Sequence, residues 1–296
     1  MTNLVHWLAD PWDRTFMQHA FLAIALVGII CGTVGSFVVL RGYAFLGDAL
    51  AHAVFPGVVV AFLFDINVLV GAVVAALVVS LGIGAIGHHE RLTNDTAIGV
   101  LFAGAFAFGI VLISARPSYT RDLSGFLFGS ILGVSTTDLW LTAGVGAVVL
   151  LVVWLLRREL VALAFDRTFA EASGIRTWRV DQVFLVALSL SIVISIQTVG
   201  NVLVLAMLVT PAATARLLTE RLPVMVGLAA AIGAGSGVVG LYVSYYRGVA
   251  SGASVVLVAT AVFAVVFLLA PRTGLVSTAV ARRVHFPHPE RDRFGA

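Results

Sequence analysis

Stretches of mostly apolar residues recur along the whole chain, each long enough to cross a bilayer as a helix, which takes about 20 residues. Nine such stretches can be read from the sequence: 17–40, 44–64, 67–87, 96–115, 138–156, 181–199, 201–219, 223–246 and 253–270. Gly200 and Asn201 divide the segment 181–219, which forms either two spans or one span with a re-entrant piece. The sequence therefore predicts an all-α, polytopic membrane protein with eight or nine spans.

The composition excludes a single soluble core. Of the 296 residues, 60% are hydrophobic and 11% are charged, whereas soluble chains average about 45–50% and about 25%. All cationic side chains are arginine, so the lysine of the phosphate-binding loop G-x-x-x-x-G-K-[ST] is missing. The chain cannot hydrolyse ATP through that loop, and any such ATPase must be another subunit. The arginines are scattered between apolar runs, a pattern typical of topology determinants and not of nucleic-acid binding.

The arginines also predict an orientation. If nine spans cross and the N-terminus lies outside, four of the 18 arginines are external, namely Arg14, Arg116, Arg121 and Arg247, and the other fourteen are cytoplasmic. This bias is the one that orients multi-pass membrane proteins, and it supports both the span count and the direction. We expect an external or interfacial segment at 1–16, a membrane domain at 17–275 and a cytoplasmic tail at 276–296.

Two connections are longer than the others. The external one, 116–137, combines Gly and Ser with aromatic residues, and is read as a re-entrant or interfacial segment, or else as a surface loop. It is also the best candidate for an outer gate. The cytoplasmic one, 157–181, can form a short amphipathic helix that serves either as an interfacial anchor or as a docking site for a partner protein.

The second span contains an acid and an imidazole, Asp48 and His52. Charges inside a bilayer are costly, so ionisable residues there are functional candidates. Their spacing of four places both on one helix face, and carboxylate with imidazole suits manganese, zinc or ferrous iron. Alternatively, the pair holds two helices together, or Asp48 lies at the interface near Arg41. Pro56 and Gly57 follow one turn later, as a possible kink or gate.

Two ligands do not complete a metal shell. The remaining ligands could be water, a second copy of the pair from a symmetric subunit, or polar residues of later spans: Gln197, Asn201, Thr210, Ser244 and Tyr245. The run HHER at 88–91 lacks the spacing of a metalloprotease and is interpreted as a solvated loop. His285 and His288 lie in the proline-containing tail, which has the composition of a disordered linker.

Several segments resemble one transporter family. GSFVVLRGYAFLGDALAHAVFPGVVVAFLF at 35–64 is similar to the second span of permeases of the manganese/zinc/iron-chelate ABC importers. Further segments match in the same order: DTAIGVLFAGAFAFG at 95–109, DLSGFLFGSILGVS at 122–135, FDRTFAEASGI at 165–175 and VGNVLVLAMLVTPAATARLL at 199–218. The resemblance covers roughly residues 17–275, nearly the whole chain.

The resemblance implies a type II-like importer permease that moves Mn²⁺ or Zn²⁺ and has no cofactor of its own. It implies a homodimer, cytoplasmic ATP-binding subunits and an extracytoplasmic solute-binding protein. It maps the metal site onto Asp48 and His52. The segment that couples to the ATPase maps to about 164–177, and its residues are Phe165, Phe169, Glu171, Ala172, Gly174 and Ile175. In one departure, the stretch 244–253 lacks the acid that many relatives carry and has Arg247.

Two alternatives remain at this stage. A permease for a metal chelate such as a siderophore or cobalamin would need a wide cavity without charged ligands, and Asp48 with His52 disfavours it. In a proton- or sodium-coupled secondary transporter, the same pair would relay protons. The absence of an associated ATPase would favour that alternative.

Overall fold

The structure is a computed structural model that describes residues 9–86, 94–114 and 131–270. Regular structure in these ranges is helical throughout. The α-helices are α1 (Thr15–Leu40), α2 (Ala44–Ala53), α3 (Phe55–Leu63), α4 (Val68–Ile86), α5 (Asn94–Ser114), α6 (Thr136–Leu155), α7 (Arg157–Phe165), α8 (Arg167–Ala172), α9 (Thr177–Val199), α10 (Asn201–Leu218), α11 (Leu222–Arg247) and α12 (Ser251–Leu269). Short 3₁₀ turns occupy Asp10–Asp13 and Ile131–Gly133.

The predicted set of spans is confirmed. Within the described residues, eight helical segments are long and apolar enough to cross a membrane, with α2 and α3 counted together as Ala44–Leu63. The remaining apolar stretch forms α5. The divided segment 181–219 forms two separate helices, since Gly200 has φ 88° and lies between α9 and α10.

Helix α1 lies at the centre of the bundle and packs against α6, α9, α10 and α11. Glycines allow this close packing, because a small residue lets two helix backbones approach each other. A Cβ atom at Gly28 would lie 2.5 Å from the backbone nitrogen of Ala234, and one at Gly35 would lie 1.8 Å from the carbonyl oxygen of Leu208. The core therefore depends on backbone contacts that larger residues would block.

A second group of helices, α2 to α5, joins this core mainly through α9. Helices α3 and α4 meet where Gly57 faces Gly71, and a Cβ atom on either glycine would lie 2.2 Å from the other's carbonyl oxygen. Gly57 thus serves close helix packing. Helix α12 lies at the periphery, against α10 and α11.

The two ends of the bundle differ in charge. At one end Arg41 and Arg167 pair with Asp181, and Arg216 donates to the carbonyl oxygen of Val39 at 3.1 Å. This is the end that the sequence predicts to be cytoplasmic.

The opposite end carries acids and aromatic residues. The Tyr245 hydroxyl donates to Asp10 at 3.2 Å, and the Trp12 indole donates to the Tyr242 hydroxyl at 2.8 Å. Of the long external connection, 116–130 lies outside the described residues. The part that follows is ordered by the buried Ile131 and by Ser135, which caps α6.

Candidate metal site

Helix α2 carries the predicted metal ligands on its partly exposed side. It buries Leu46, Ala49 and Leu50 and leaves Asp48 and His52 partly exposed. The exposed Phe45 precedes Asp48 by three residues, so the three side chains at positions 45, 48 and 52 form one stripe. The apolar pattern of the helix therefore places acid and imidazole together on a face that a ligand can reach.

Asp48 and His52 are close enough to bind one ion. Asp48 Oδ1 lies 3.5 Å from His52 Nε2, and the two side chains are 35% and 32% exposed. Metal bonds to nitrogen and oxygen are about 2.0–2.2 Å long, so two such ligands around one ion stand about 3–3.5 Å apart. The observed separation falls at the upper end of that range.

The second ring nitrogen of His52 faces α10. Asn201, only 4% exposed, places its side-chain nitrogen 3.3 Å from His52 Nδ1. When the amide NH₂ donates to Nδ1, the proton of the neutral ring is on Nε2, which then donates toward Asp48. When the amide is turned over, its oxygen accepts from Nδ1–H, and the Nε2 lone pair is free for a metal. The orientation of the Asn201 amide and the tautomer of His52 are therefore coupled.

Two phenylalanines of α5 form an apolar wall beside the imidazole. The ring centroid of His52 lies 5.9 Å from that of Phe102 and 5.8 Å from that of Phe106. Phe106 also contacts Phe55, the first residue of α3. The wall limits water on one side of the ring, where electrostatic attraction to a cation is therefore stronger.

The second span is interrupted directly after the pair. Helix α2 ends at Ala53 and α3 begins at Phe55, with Pro56 in its first turn. Because Pro56 has no N–H, it cannot donate to the carbonyl of His52, four residues earlier. The carbonyl of His52 accepts instead from the N–H of Val54, the residue between the two helices, where the span is divided.

Of the other polar candidates from the sequence, Asn201 is the one whose contact with the pair is seen. Gln197 donates to Asp138 at 3.3 Å, and Ser244 donates to the carbonyl of Val249. The carbonyl oxygen of Thr210 accepts from Thr214 within α10. No group of three or more His, Cys, Asp or Glu side chains that could hold a metal occurs in the described ranges. The pair is thus half of a site.

The segment predicted to couple to the ATPase forms two short helices, α7 and α8. Phe165 and Phe169 are 86% and 67% exposed, an unusual exposure for aromatic side chains outside an interface. Glu171 accepts from the Thr177 hydroxyl at 2.9 Å. Ala172 ends α8 and Ile175 is half-buried, with Gly174 between them at φ 83°, a left-handed conformation that glycine adopts without strain.

Some sequence predictions fall outside the described residues: the run 88–91, the tail 276–296 with His285 and His288, and the part 116–130 of the candidate gate 116–137. The reasoning from the sequence missed the aromatic wall of α5 and the pairing of Arg41 with Asp181. The spacing of Phe102 and Phe106, four residues apart, was a signal for the wall, because it places both rings on one helix face.

A bundle of membrane-spanning helices with an acid and an imidazole inside one span defines a multi-pass membrane transport protein. The model of the ABC 3 transport family matches residues 13–270. The chain therefore belongs to the ABC 3 transport family and is a multi-pass permease of the prokaryotic plasma membrane.

Two relatives and one solved structure illustrate the similarity. The chain is 46% identical over 277 residues to "Manganese transport system membrane protein MntC" of Halalkalibacterium halodurans, which covers 94% of this chain and 95% of that protein. It is 34% identical over 286 residues to "Chelated iron transport system membrane protein YfeC" of Yersinia pestis, covering 97% of each. The structure of "PsaBC from Streptococcus pneumoniae in complex with Fab" matches with a TM-score of 0.81 at 37% identity, covering 95% of this chain and 99% of that chain.

Proposed function

We propose that this chain is the membrane-spanning subunit of an ATP-driven importer that carries Mn²⁺ into the cytoplasm, and that Asp48 and His52 bind the ion on its path. The observation that carries the proposal is the acid and imidazole 3.5 Å apart on a partly exposed helix face inside a span. Such charges are costly in a membrane, and those that occur there mark the path of an ion or a proton. The similarity to a manganese transport protein supports the first of these.

The ligand chemistry favours a hard or borderline divalent cation. Oxygen and nitrogen ligands suit Mn²⁺, whereas cuprous copper prefers thiolate. The one cysteine, Cys31, is buried and its sulfur lies 3.6 Å from the Ser195 hydroxyl. A two-residue site that is one-third exposed also permits release, which a transport site must allow.

A second copy of the chain supplies the other half of the site. Two symmetric Asp48 and His52 pairs give four ligands, to which water or backbone oxygen adds the rest. Helix α10, which supplies Asn201, carries an apolar strip formed by the exposed Val202 and the half-exposed Leu205, Ala206 and Val209. A symmetric partner that packs on the stripe of α2 and on the strip of α10 places the ion between the two chains.

The remaining partners follow from the family. Cytoplasmic subunits bind and hydrolyse ATP and receive the coupling segment, where Phe165, Phe169, Glu171, Ala172, Gly174 and Ile175 present apolar and polar contacts at the arginine-rich end. An extracytoplasmic binding protein delivers the ion to the opposite end. Alternating access then moves the ion past Asp48 and His52, with Pro56 and Gly57 at the interrupted helix as the place where the path changes shape.

The test is uptake into proteoliposomes that contain this chain with its ATP-binding subunits and binding protein. Mn²⁺, Zn²⁺, Fe²⁺ and a ferric chelate are offered separately, with and without ATP. We expect ATP-dependent Mn²⁺ uptake that Asp48→Ala abolishes while ATPase activity and assembly persist. Uptake of the chelate alone would favour the second candidate, a chelate permease, as in the Yersinia relative. Uptake driven by a proton gradient without ATP would indicate a secondary transporter.

A further inference from the structure

An ion-pair network joins three helices at the arginine-rich end. Asp181 of α9 accepts from Arg41, at the C-terminus of α1, through one carboxylate oxygen, and from Arg167 of α8 through the other, at 3.1 Å. Arg167 also lies 3.4 Å from Glu171, which accepts in turn from Thr177. The coupling segment is therefore tied to the membrane bundle through one carboxylate.

The two arginines hold Asp181 with unequal strength. The Arg41 side chain is 5% exposed and stands over the rings of Tyr43 and Phe184, at 4.8 and 5.3 Å. One of its terminal nitrogens is buried without a hydrogen-bond partner, so its charge relies on Asp181. Arg167, in contrast, is 43% exposed. Asp181 thus has one partner that water cannot replace cheaply and one that it can.

The buried end of the network adjoins the helix of the metal ligands. Arg41 is followed by Gly42 at φ 71° and then by α2, which carries Asp48 and His52. Between α8 and α9 the chain likewise passes through a left-handed glycine, Gly174. A displacement of α8 that is not carried by Asp181 can be absorbed in that turn.

We propose that Asp181 is a positioning residue that transmits movement of α8 to the corner between α1 and α2, and so to the ion ligands. The inference rests on the proposed function. With Arg167 bound, α8, α9 and the corner move together when the ATP-binding subunits move α8. Without the contact between Arg167 and Asp181, the subunits hydrolyse ATP but the ion site does not switch between the outside and the cytoplasm. Asp181 contacts no ion and acts through Arg41.

The test measures Mn²⁺ carried per ATP hydrolysed in proteoliposomes with the complete transporter. The variants are Arg167→Gln, Asp181→Asn and the double substitution, with Arg179→Gln, an exposed arginine two residues before Asp181, as the matched control. Mn²⁺ binding by each purified complex is measured in parallel. We expect ATP hydrolysis and Mn²⁺ binding to persist while the transport ratio falls by about fivefold, the lower end of typical coupling between sites.

The double variant decides whether the two residues form one link. If the two residues form one link, the double variant has the same transport ratio as the single variant with the lower ratio, because that substitution has already broken the link. Independent, multiplied losses would overturn the proposal, as would equal loss of hydrolysis and transport, or an unchanged ratio. Arg167→Gln keeps the test decisive if Asp181→Asn does not fold. Failure of the wild type to carry Mn²⁺ would instead reject the proposed function.

Discussion

Two clusters of ionisable side chains lie near the corner between α1 and α2, the pair Asp48 and His52 and the network around Asp181, and they differ in exposure and in the number of helices that they join. Asp48 and His52 share one helix, stand 3.5 Å apart and are about one-third exposed. Asp181 joins three helices through two arginines and is 14% exposed. Asp48 and His52 can still bind a ligand, whereas both carboxylate oxygens of Asp181 are bonded to arginines of the same chain.

This difference distinguishes a binding site for a transported ion, at Asp48 and His52, from a structural joint, which is the network of Asp181 with its arginines. A transported ion must find ligands that it can gain and lose without unfolding anything. A buried carboxylate between arginines is costly to break and therefore holds its elements together. The contrast predicts that substitutions in the first group reduce transport and spare stability, while those in the second reduce stability or coupling.

The largest expected effect is on the stability of Asp181→Ala. Removing this carboxylate leaves the buried Arg41 without its counter-charge, which costs about 3–5 kcal/mol when a buried pair loses one partner. Thermal unfolding of the purified permease in detergent measures the loss. Asp48→Ala is the matched control, and its exposed pair is worth about 1 kcal/mol or less. Equal unfolding temperatures for the two variants would remove the distinction between the groups.

His52→Ala should reduce Mn²⁺ uptake by about 100-fold or more, since loss of outer-shell partners alone costs about 10–100-fold. Uptake into proteoliposomes at saturating ATP is the measurement, and the unfolding temperature should hardly change. Phe45→Ala provides the control, because Phe45 shares the exposed stripe and offers no ligand. Similar losses in both variants would assign the stripe to packing between chains.

Asn201→Ala should weaken Mn²⁺ binding by about tenfold, the lower end of the range for a residue that orients a metal-bound histidine. Without the amide, the metal-binding tautomer of His52, which has its proton on Nδ1, loses the hydrogen-bond acceptor that stabilises it. Titration of the purified complex with Mn²⁺ measures the change. Gln197→Ala is a close control, since that amide contacts Asp138. Unchanged affinity in Asn201→Ala would mean that the wall of α5 orients the ring.

The fold was largely predictable, because span length and apolar composition follow directly from the thickness of a bilayer. The interruption of the second span at Val54 was only partly predictable from the sequence. Pro56 and Gly57 indicated a kink, but the helix breaks before Pro56, and Gly57 packs against Gly71 of the neighbouring helix. Contacts between helices distant in sequence set that geometry, and one sequence does not contain them explicitly.

The site was predictable within one helix and not between helices. The spacing of Asp48 and His52 places them together by helical periodicity alone. Asn201 was one of five polar candidates, and only the packing of α10 on α2 selects it. Likewise, nothing in the sequence singled out Asp181, since its pairing with Arg41 spans 140 residues of sequence.

The smallest expected effect is on the stability of Arg167→Gln, and it sharpens the comparison most. Arg167 bonds the same carboxylate as Arg41 but is 43% exposed, so its loss should cost less than about 1 kcal/mol. The unfolding temperature should lie near that of the wild type, and high salt should shrink the remaining difference. Arg41→Gln, which removes the buried partner, is the matched comparison and should unfold far earlier. If the two variants were equally unstable, Arg167 would belong to the structural joint. A small effect instead means that the contact of Arg167 with Asp181 contributes little to stability, so that a loss of transport in Arg167→Gln can be assigned to coupling and not to unfolding.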